Sequence, residues 1–556
     1  MTLRTRLSLS LLLLFVALYL LPLGVRPLME PDETRYAEVP REMIESGDWI
    51  TPRLNGMRYF EKPPLGYWLN GLSILAWGEN AFAVRLPSAL AVGLSALLLL
   101  FLVRQACPRE EEWAGPLAGL ILLTSVEVLA VGTFAVLDSM LAATLTLTMV
   151  CLFLASRAER GTSQRALFLS AAGVSCGLAF LTKGFLALVV PALAMGGYLV
   201  WERRWRDLLT LAWLPLLVAT LTTLPWGLAI HSQEPDFWNY FFWHEHVQRF
   251  LGGAEAQHQE PFWSFVLTAP AMFVPWAFLL PAAGLGLWRG TPQAAPRTFI
   301  RFCLCWFFLP FLFFSLSSGK LLTYILPCFP PLAILVSLGL LAALRGGQVK
   351  AFQVGAKATA LLSALSAIAL LVVQTVGLEG VAPPYSQRWQ WLLGLIAILT
   401  LAILPLAACR AVQPGRRLLL FGLSPVLLMA AVGFIMPDQV SEKKSPGALL
   451  IRHRDEITAD TVVLSDEEPL RAVCWYLQRS DVLLVNAAGE LAYGLGSPEA
   501  QGRLLDLPAA KARILAHPGK IVLVARARNY RRFSAELPPP RTIDDSGQDG
   551  YILARY

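Results

Sequence analysis

Long apolar runs recur along most of the chain and are separated by short polar connections. A membrane-spanning helix needs about 20 predominantly apolar residues. The pattern predicts about thirteen such helices within a membrane domain over residues 1–439. The predicted spans are 7–24, 82–103, 114–131, 138–156, 166–182, 184–201, 208–230, 264–287, 299–316, 321–343, 358–378, 390–409 and 418–436.

The pattern changes after about residue 440, where short β-rich runs alternate with polar, helix-like stretches such as 501–516. This alternation predicts a small α/β domain outside the membrane over residues 440–556. No motif in this domain indicates catalysis. The predicted strands are 461–464, 481–485, 520–524 and 551–553.

The composition supports a membrane protein, because 56% of the residues are hydrophobic and only 15% are charged. Soluble proteins carry about 25% charged residues, so a purely soluble protein and a disordered chain are both excluded. The net charge of +7 would suggest nucleic acid in a soluble protein. Here orientation in the membrane explains it better, and no nucleic-acid partner is expected.

Basic residues occur in every second connection between the predicted spans. Connections rich in Lys and Arg face the cytoplasm, so the N-terminus is predicted inside and the C-terminus outside. The first run is interpreted as an uncleaved span, because Gly24-Val25-Arg26-Pro27 offers no small-residue cleavage site. The longest outer connections, 25–81 and 231–263, carry most of the residues capable of chemistry.

The first outer connection begins with the acidic motif Glu30-Pro31-Asp32-Glu33-Thr34-Arg35-Tyr36-Ala37-Glu38. A helix over 32–46, stopped by Gly47, would place Asp32, Arg35 and Tyr36 on one face. Pro40 would kink such a helix. A membrane-surface helix with merely solvated charges is the simpler interpretation of this motif alone.

A second cluster in the same connection is aromatic, charged and rigid: Tyr59-Phe60-Glu61-Lys62-Pro63-Pro64. Lys62 is a candidate for binding phosphate, because an ammonium is a compact point charge. An interfacial belt of Tyr, Trp and Lys is the alternative interpretation. The Glu-Lys-Pro-Pro run is unusual for a belt, which favours a binding role.

Charged and polar residues also occur at the outer ends of the predicted spans, where basic residues run against the positive-inside rule. An acid near a span, such as Asp138, is costly and is a functional candidate. Snorkelling at a helix end is the alternative for Lys183 or Lys320 taken singly. The other members of this set are Arg249 and Tyr324.

The run His244-Glu245-His246 could suggest a metal site, with Glu61 assisting. Zinc requires three or four protein ligands, and the sequence does not assemble them, so no metal is predicted. The sequence also has no GxxxxGK[ST] loop and no GxGxxG after a strand. A transferase working outside the membrane needs a pre-activated substrate, and a polyprenyl-phosphate-linked sugar meets that need.

A set of ordered motifs extends over nearly the whole chain: Glu30–Glu38, Gly47–Trp49, Tyr59–Pro63, Asn80–Arg85, Ala135–Asp138, Leu181–Ala187, Leu224–Ile230, Phe237–Trp243, Gln248–Phe250, Gly319–Lys320, Thr323–Leu326 and Leu491–Leu495. In these motifs the chain resembles the bacterial 4-amino-4-deoxy-L-arabinose lipid A transferases (ArnT). The first acidic motif alone would indicate only the wider group of polyprenyl-phosphate-dependent oligosaccharyl- and protein-mannosyl-transferase-like enzymes.

The resemblance implies a polytopic α-helical membrane protein of the GT-C glycosyltransferase fold, with a C-terminal extracytoplasmic α/β domain. It implies transfer of aminoarabinose from undecaprenyl phosphate to lipid A phosphates, at the periplasmic face of the bacterial inner membrane. The added amine would offset phosphate charge and so weaken binding of polymyxin and other cationic peptides. Donor, acceptor and membrane lipids are the expected partners, and no cofactor is expected.

Within that reaction, negative charge grows on the leaving phosphate, and preplaced donors stabilise it. We expect Arg35, Lys62 and Arg249 to bind phosphate. Asp32 is the general base by family analogy, yet an acceptor phosphate is already ionised at neutral pH. Two roles other than general base therefore remain open for Asp32 and Asp138: orienting the acceptor or holding the sugar's ammonium group. The remaining substrate-binding candidates are Tyr36, Tyr59, Glu61, Lys183, Lys320 and Tyr324.

Two other functions remain open from sequence. A protein glycosyltransferase of the same architecture would use the same donor but a hydroxyl acceptor, for which Asp32 would have to be a true base. A transporter or lipid flippase is less favoured, because the polar candidates cluster at one face rather than at the membrane midplane.

Overall fold

The computed structural model describes residues 3–108, 112–243, 259–289, 295–377, 383–547 and 550–556. The chain divides into two units. The first, the membrane unit, comprises Met1–Pro22, Ser88–Pro383 and Gln387–Ile435. The second, the sheet unit, comprises Leu23–Pro87, Pro384–Ser386 and Met436–Tyr556.

Within the described residues, eight helices are long and apolar enough to cross a membrane. Apolar side chains are exposed along them, as on the helix Val349–Thr375, where Leu361, Leu365 and Ile368 are each more than half exposed. This is the surface expected of helices that face lipid. The eight are Ala81–Ala106, which begins in the sheet unit, and Leu137–Arg157, Ser163–Lys183, Trp205–Gln233, Arg297–Leu316, Leu322–Arg345, Val349–Thr375 and Arg388–Arg410.

Two further spans are broken. Ala114–Leu123 and Val126–Gly132 meet at 65°, and Ser264–Met272 and Trp276–Arg289 meet at 103°. At the first break, the hydroxyls of Thr124 and Ser125 donate to the carbonyls four residues back, a contact that bends helices. Pro275 lies in the second break and cannot donate a helical hydrogen bond.

The predicted count of thirteen spans is not confirmed, because the described residues give eight, or ten if each bent pair is one span. The predicted spans 7–24 and 184–201 are the shorter apolar helices Arg6–Leu20 and Leu186–Trp201. The predicted span 418–436 divides into Pro414–Leu423 and Val426–Ala431.

The sheet unit contains a six-stranded sheet and a small hairpin. The hairpin joins β1 (Arg53–Leu54) and β2 (Met57–Arg58), and its turn residues Asn55 and Gly56 both have positive φ, as an Asn-Gly hairpin turn requires. The sheet strands are β3 (Val462–Ser465), β4 (Leu483–Val485), β5 (Leu504–Leu505), β6 (Ile521–Arg526), β7 (Thr542–Asp545) and β8 (Tyr551–Arg555).

The strand order is β5-β4-β3-β6-β8-β7. Strands β3, β4, β5 and β6 pair in parallel, whereas β8 pairs antiparallel with β6 and β7. Every residue of β6 is buried, as expected for a central strand. The helices of this unit are Asp32–Ser46, Leu65–Trp77, Asp438–Lys444, Gly447–His453, Leu470–Leu477, Ala492–Leu495, Leu507–Ala516 and Ala527–Phe533.

The sequence prediction assigned the connection 25–81 to the membrane domain, but residues 23–87 form one unit with the C-terminal residues. Asn55 exchanges two hydrogen bonds with the backbone of Val482, at 2.8 and 3.0 Å. The amide of Glu30 donates to the carbonyl of Lys444 at 2.8 Å. Such pairings across distant parts of the chain have no signature in local composition.

Candidate functional site

The helix Asp32–Ser46 presents the acidic motif of the first outer connection. It ends at Gly47, whose φ of 72° is the left-handed conformation typical of a glycine helix stop. The predicted helix and its stop are therefore confirmed, and Pro40 lies inside it. Asp32 is in the first turn, where a negative charge is favourable.

Arg35 joins two carboxylates. It donates through Nη1 to Asp32 Oδ1 at 3.1 Å and through Nη2 to Glu490 Oε2 at 2.6 Å. The Tyr59 hydroxyl donates to the same Glu490 oxygen at 3.3 Å. Two of the predicted residues, Arg35 and Tyr59, thus share Glu490 as a partner.

The charges continue in alternating order beyond Glu490. Arg471 donates to Glu490 Oε1 at 2.7 Å and to Glu30 Oε2 at 3.1 Å. The amide of Ala472 donates to the other Glu30 oxygen at 2.7 Å. We call these five residues, Asp32, Arg35, Glu490, Arg471 and Glu30, the Arg35 cluster; Asp32 is half exposed and the other four are largely buried.

The electrostatics of the Arg35 cluster keep the Arg35 guanidinium charged. Burial alone would lower the pKa of the Arg35 guanidinium, but Glu490, Glu61 and Asp32 raise it above its usual value. Burial raises the pKa of the Tyr59 hydroxyl, so it remains a donor at neutral pH. The Arg35 guanidinium is thus charged and is held in place by Asp32 and Glu490, and the Tyr59 hydroxyl donates to the same Glu490.

Tyr36 lies near Arg35, whereas Lys62 is held by Glu61. The Arg35 guanidinium lies 6.0 Å from the centre of the Tyr36 ring, and that ring is 5.9 Å from the Tyr67 ring. Lys62 Nζ donates to the carbonyl of Glu61 at 2.9 Å and lies 3.9 Å from the Glu61 carboxylate. Lys62 is therefore held by its neighbour Glu61 at the start of the Pro63-Pro64 run.

Glu33 has a structural role within the same motif. It is fully buried and accepts hydrogen bonds from Arg85 at 2.6 and 2.9 Å, from Arg26 and from the amide of Met29. Burial alone would raise its pKa, but the two guanidiniums outweigh it and lower the pKa to about 2. Arg85 also donates to the carbonyls of Leu23, Arg26 and Pro27.

The membrane unit holds a second charged pair. Lys183 Nζ donates to Asp138 Oδ1 at 2.8 Å, and each side chain is only 10% exposed. The same ammonium lies 5.1 Å from the centre of the Tyr324 ring, within cation–π distance. Three predicted residues, Asp138, Lys183 and Tyr324, are therefore brought together.

Lys320 is buried and held by backbone carbonyls. Its Nζ donates to the carbonyl of Glu260 at 2.7 Å and to that of Ser317. Arg249 and the run His244-Glu245-His246 lie outside the described residues. Among the residues that the structure does describe, no group of three or more His, Cys, Asp or Glu side chains is placed to hold a metal ion.

Sequence reasoning missed the C-terminal part of the Arg35 cluster. Glu490 immediately precedes the Leu491–Leu495 motif, but a single acid in a domain without catalytic motifs gave no reason to select it. Arg471 is a buried cation in the first turn of the helix Leu470–Leu477. Only the fold shows that it bridges two carboxylates.

Two family models match the chain. Residues 4–241 match the model described as dolichyl-phosphate-mannose-protein mannosyltransferase, and residues 441–553 match the C-terminal domain of the arabinosyl transferase ArnT. Two similar proteins carry the name undecaprenyl phosphate-alpha-4-amino-4-deoxy-L-arabinose arabinosyl transferase. One, from Serratia proteamaculans, is 40% identical over 504 residues, covering 90% of this chain and 89% of its own. The other, from Proteus mirabilis, is 38% identical and covers 96% of both chains.

Solved structures agree on the fold. The crystal structure of ArnT from Cupriavidus metallidurans in the apo state superposes with a TM-score of 0.80 at 24% identity, over 100% of this chain and 98% of that one. The same protein bound to undecaprenyl phosphate gives 0.79 at 24% identity, over 99% and 98%. The archaeal oligosaccharyltransferase AglB from Archaeoglobus fulgidus gives 0.54 at 11% identity, over 96% and 71%. The fold is thus that of the GT-C glycosyltransferases, as expected from the sequence.

Proposed function

Because this chain belongs to the family of undecaprenyl phosphate-alpha-4-amino-4-deoxy-L-arabinose arabinosyl transferases, we propose that it transfers this aminosugar from undecaprenyl phosphate to the phosphate groups of lipid A. The observation that carries the proposal is the full-length similarity: relatives at 36–41% identity over most of the chain bear the same name. The preorganised cation in the Arg35 cluster supports it, because such a cation suits a phosphate-bearing donor.

In the proposed reaction, the bond between the sugar's anomeric carbon and the phosphate oxygen of undecaprenyl phosphate breaks. A lipid A phosphate oxygen forms the new bond to that carbon, and the leaving phosphate takes the bonding electrons. One well-placed donor to such a developing charge is worth roughly 3–4 kcal/mol. We assign this task to Arg35 and Lys62, to Arg249, and to the hydroxyls of Tyr59, Tyr36 and Tyr324.

The two aspartates have cationic partners, which limits their roles. An acceptor phosphate is already ionised near neutral pH, so a general base is not required. Asp32, half exposed and paired with Arg35 at 3.1 Å, orients that guanidinium in our proposal. Asp138 holds Lys183, and Lys183 and Lys320 are assigned to the acceptor phosphates. Glu61 holds Lys62 beside it.

We further propose that the chain resides in the bacterial inner membrane with its chemistry on the periplasmic side. The alternation of basic connections supports this orientation. The amine added to lipid A would then offset phosphate charge at the cell surface. Cationic peptides such as polymyxin would bind less well to that surface, because their attraction is electrostatic.

The second candidate function is a polyprenyl-phosphate-sugar-dependent protein glycosyltransferase. The match of residues 4–241 to the mannosyltransferase family model favours it. That enzyme would need a general base for its hydroxyl acceptor, and Asp32 would have to take the proton. Transfer to serine- or threonine-containing peptides and not to lipid A would replace our proposal.

The test is mass spectrometry of lipid A from a host that lacks its own such transferase but makes the aminoarabinose lipid donor. We expect the chain to add aminopentose units to lipid A and the Asp32→Asn variant to add none. Asp460→Asn, which changes an exposed aspartate of the same unit, is the matched control and should behave as wild type. Unmodified lipid A with protein in the membrane and donor confirmed would refute the acceptor. Full activity of Asp32→Asn would remove Asp32 from the site.

A further inference from the structure

Glu127 is an acidic side chain of the membrane unit that the proposed reaction has not used. Glu127 is the second residue of the helix Val126–Gly132, directly after the 65° break that follows Ala114–Leu123. Its side chain is buried, with 6% exposure. Its Oε1 atom has no hydrogen-bond partner among the described residues.

The break beside Glu127 meets the break of the other bent pair. The amide of Val126 donates to the carbonyl of Val274 at 3.3 Å, and Trp276 Nε1 donates to the Thr124 hydroxyl at 2.9 Å. Non-helical backbone at membrane depth is tolerated only where protein buries it or where it lines a cavity. In transporters, broken helices of this kind form substrate sites.

The elements around Glu127 provide almost no charge. The helix Val126–Gly132 packs on Val16–Leu20, Ala114–Leu123, Ser264–Met272, Leu322–Cys328 and Leu137–Arg157. The first four of these contain no charged residue. The fifth contributes Asp138 at its start and Arg157 at its end, 19 residues later, which is about 29 Å along a helix.

The only acidic neighbour of Glu127 among these elements is therefore Asp138, whose charge acts on it. Asp138 is itself neutralised by Lys183 at 2.8 Å. Glu127, Asp138 and Lys183 together carry two potential negative charges and one positive charge. A further cation would balance the three, and the five described elements named above as packing on the helix Val126–Gly132 do not supply it.

We propose that Glu127 binds the ammonium group of the transferred sugar and so selects a donor that carries a free amine. The inference rests on the proposed function, whose donor carries that amine. The aspartates considered for this role from sequence already have cationic partners, Asp32 in Arg35 and Asp138 in Lys183. A buried polar group that an analogue leaves unpaired rejects that analogue strongly, so Glu127 determines specificity rather than rate alone.

The experiment compares two donors on the same undecaprenyl phosphate: the sugar with its free 4-amine and the same sugar N-acetylated. Transfer to lipid A by purified full-length chain in nanodiscs gives kcat/KM for each donor. We expect wild type to prefer the free amine by roughly 100-fold or more. Glu127→Gln should raise KM for the free-amine donor and lose most of that preference, while its use of the N-acetylated donor is unchanged.

Glu202→Gln is the matched control, because it makes the same substitution in the membrane unit at a glutamate paired with Arg301 at 2.9 Å. It should keep the wild-type preference. A Glu127→Gln enzyme that keeps the preference, or that loses both donors equally, would overturn the inference. Glu127→Asp, which retains the carboxylate, should keep a measurable preference.

The wild-type comparison can still overturn the inference if Glu127→Gln does not accumulate, and Glu127→Asp then tests the residue itself. Equal use of both donors by wild type would show that no residue reads the amine, which overturns the inference while the proposed function stands. Failure of wild type to transfer from either donor to lipid A would instead overturn the proposed function, and this inference with it.

Discussion

Glu33 and Asp32 are adjacent in the chain, yet their carboxylates have opposite surroundings. Glu33 is fully buried between Arg85 and Arg26, whereas Asp32 is half exposed and contacts Arg35 alone among the described ion pairs. A buried carboxylate with two guanidiniums stabilises a fold and is not available to substrate. Within the acidic motif, Glu33 therefore stabilises the fold, whereas its neighbour Asp32 remains accessible.

Replacing Glu33 by Gln should lower the stability of the sheet unit by roughly 3–5 kcal/mol, because Arg85 and Arg26 would be left buried without a negative partner. Glu45→Gln is the control: that carboxylate is 61% exposed in its pair with Arg41, so its loss should cost less than about 1 kcal/mol. Thermal unfolding of the purified protein measures both. Equal shifts for the two variants would contradict the argument.

The pairing of Glu33 with Arg85 and Arg26 also predicts that the stability of the fold depends on pH. The pKa of Glu33 is lowered to about 2 in the folded chain, below the usual value of 4.5. A lowered carboxyl pKa contributes stability that is fully present above pH 4.5 and is lost as the pH falls toward 2. The unfolding temperature of wild type should therefore fall over this window more steeply than that of Glu33→Gln.

Lys183 and Asp138 allow a double-mutant cycle in the membrane unit. Lys183→Met leaves Asp138 buried without its cation, so we expect a loss of roughly 3–5 kcal/mol. The double variant Lys183→Met with Asp138→Asn removes both charges and should recover much of that loss, without recovering transferase activity. Thermal stability and lipid A modification are measured side by side. The single variant Asp138→Asn completes the cycle, and a loss in the double variant equal to the sum of the two single losses would show that the pair does not couple.

At the scale of elements, the helix Asp32–Ser46 could be predicted because its signals are local. Three-residue spacing places Asp32 and Arg35 on one face, and Gly47 stops the helix. The four predicted β-rich runs coincide with β3, β4, β6 and β8 for the same reason. Strands β5 and β7 were not predicted: β5 has two residues, and β7 reads Thr542-Ile543-Asp544-Asp545, which is too polar to suggest a strand.

The bends of the membrane helices escaped prediction for a different reason. Thr124 and Ser125 interrupt an apolar run without changing its hydropathy, so the run predicts one continuous span. Hydropathy measures how well a segment suits lipid, and it contains no information on backbone direction. Glu127 was overlooked with the bend, because it occurs once within an otherwise apolar segment.

Two glycines test how backbone conformation contributes to stability, one at the end of a helix and one in the interior of another. Gly47 has a φ of 72°, and no atom lies within 4 Å of the point that a Cβ would occupy, so Gly47→Ala should cost about 1 kcal/mol through backbone strain alone. Gly196 lies inside the helix Leu186–Trp201 with the same open surroundings, so Gly196→Ala should stabilise by about 0.5–1 kcal/mol. Unfolding temperatures should move in opposite directions. Shifts of the same sign would contradict this account.

At the scale of the whole molecule, the sequence predicts a membrane domain and a separate α/β domain, but not which residues fold together. Arg35 and Glu490 are 455 positions apart, and Asn55 and Val482 are 427 apart. No periodicity or spacing links residues at such separations. The N-terminal part of the Arg35 cluster could therefore be chosen from sequence, whereas Glu490 and Arg471 required the fold.

Removal of residues 436–556 should expose the connection 23–87 to proteases. Glu30 and Arg35 would lose Arg471 and Glu490, and Asn55 would lose the backbone of Val482. We expect trypsin to cleave the truncated chain rapidly at Arg35, Arg53 or Arg58, while the full-length chain resists. Cleavage at Arg160 in the membrane unit serves as the internal reference. Equal resistance of the connection in both chains would show that it folds without the C-terminal residues.

The pairing of Glu30 with Arg471 also has a consequence for biosynthesis, since 441 residues separate them in the chain. At about 5–20 residues per second, a ribosome makes Arg471 roughly 20–90 s after Glu30. During that interval the acidic motif can use only partners already synthesised, which for Glu33 are Arg26 and Arg85. Glu33 therefore gives the newly made connection a first fixed point, and the Arg35 cluster is completed only when the last part of the chain arrives.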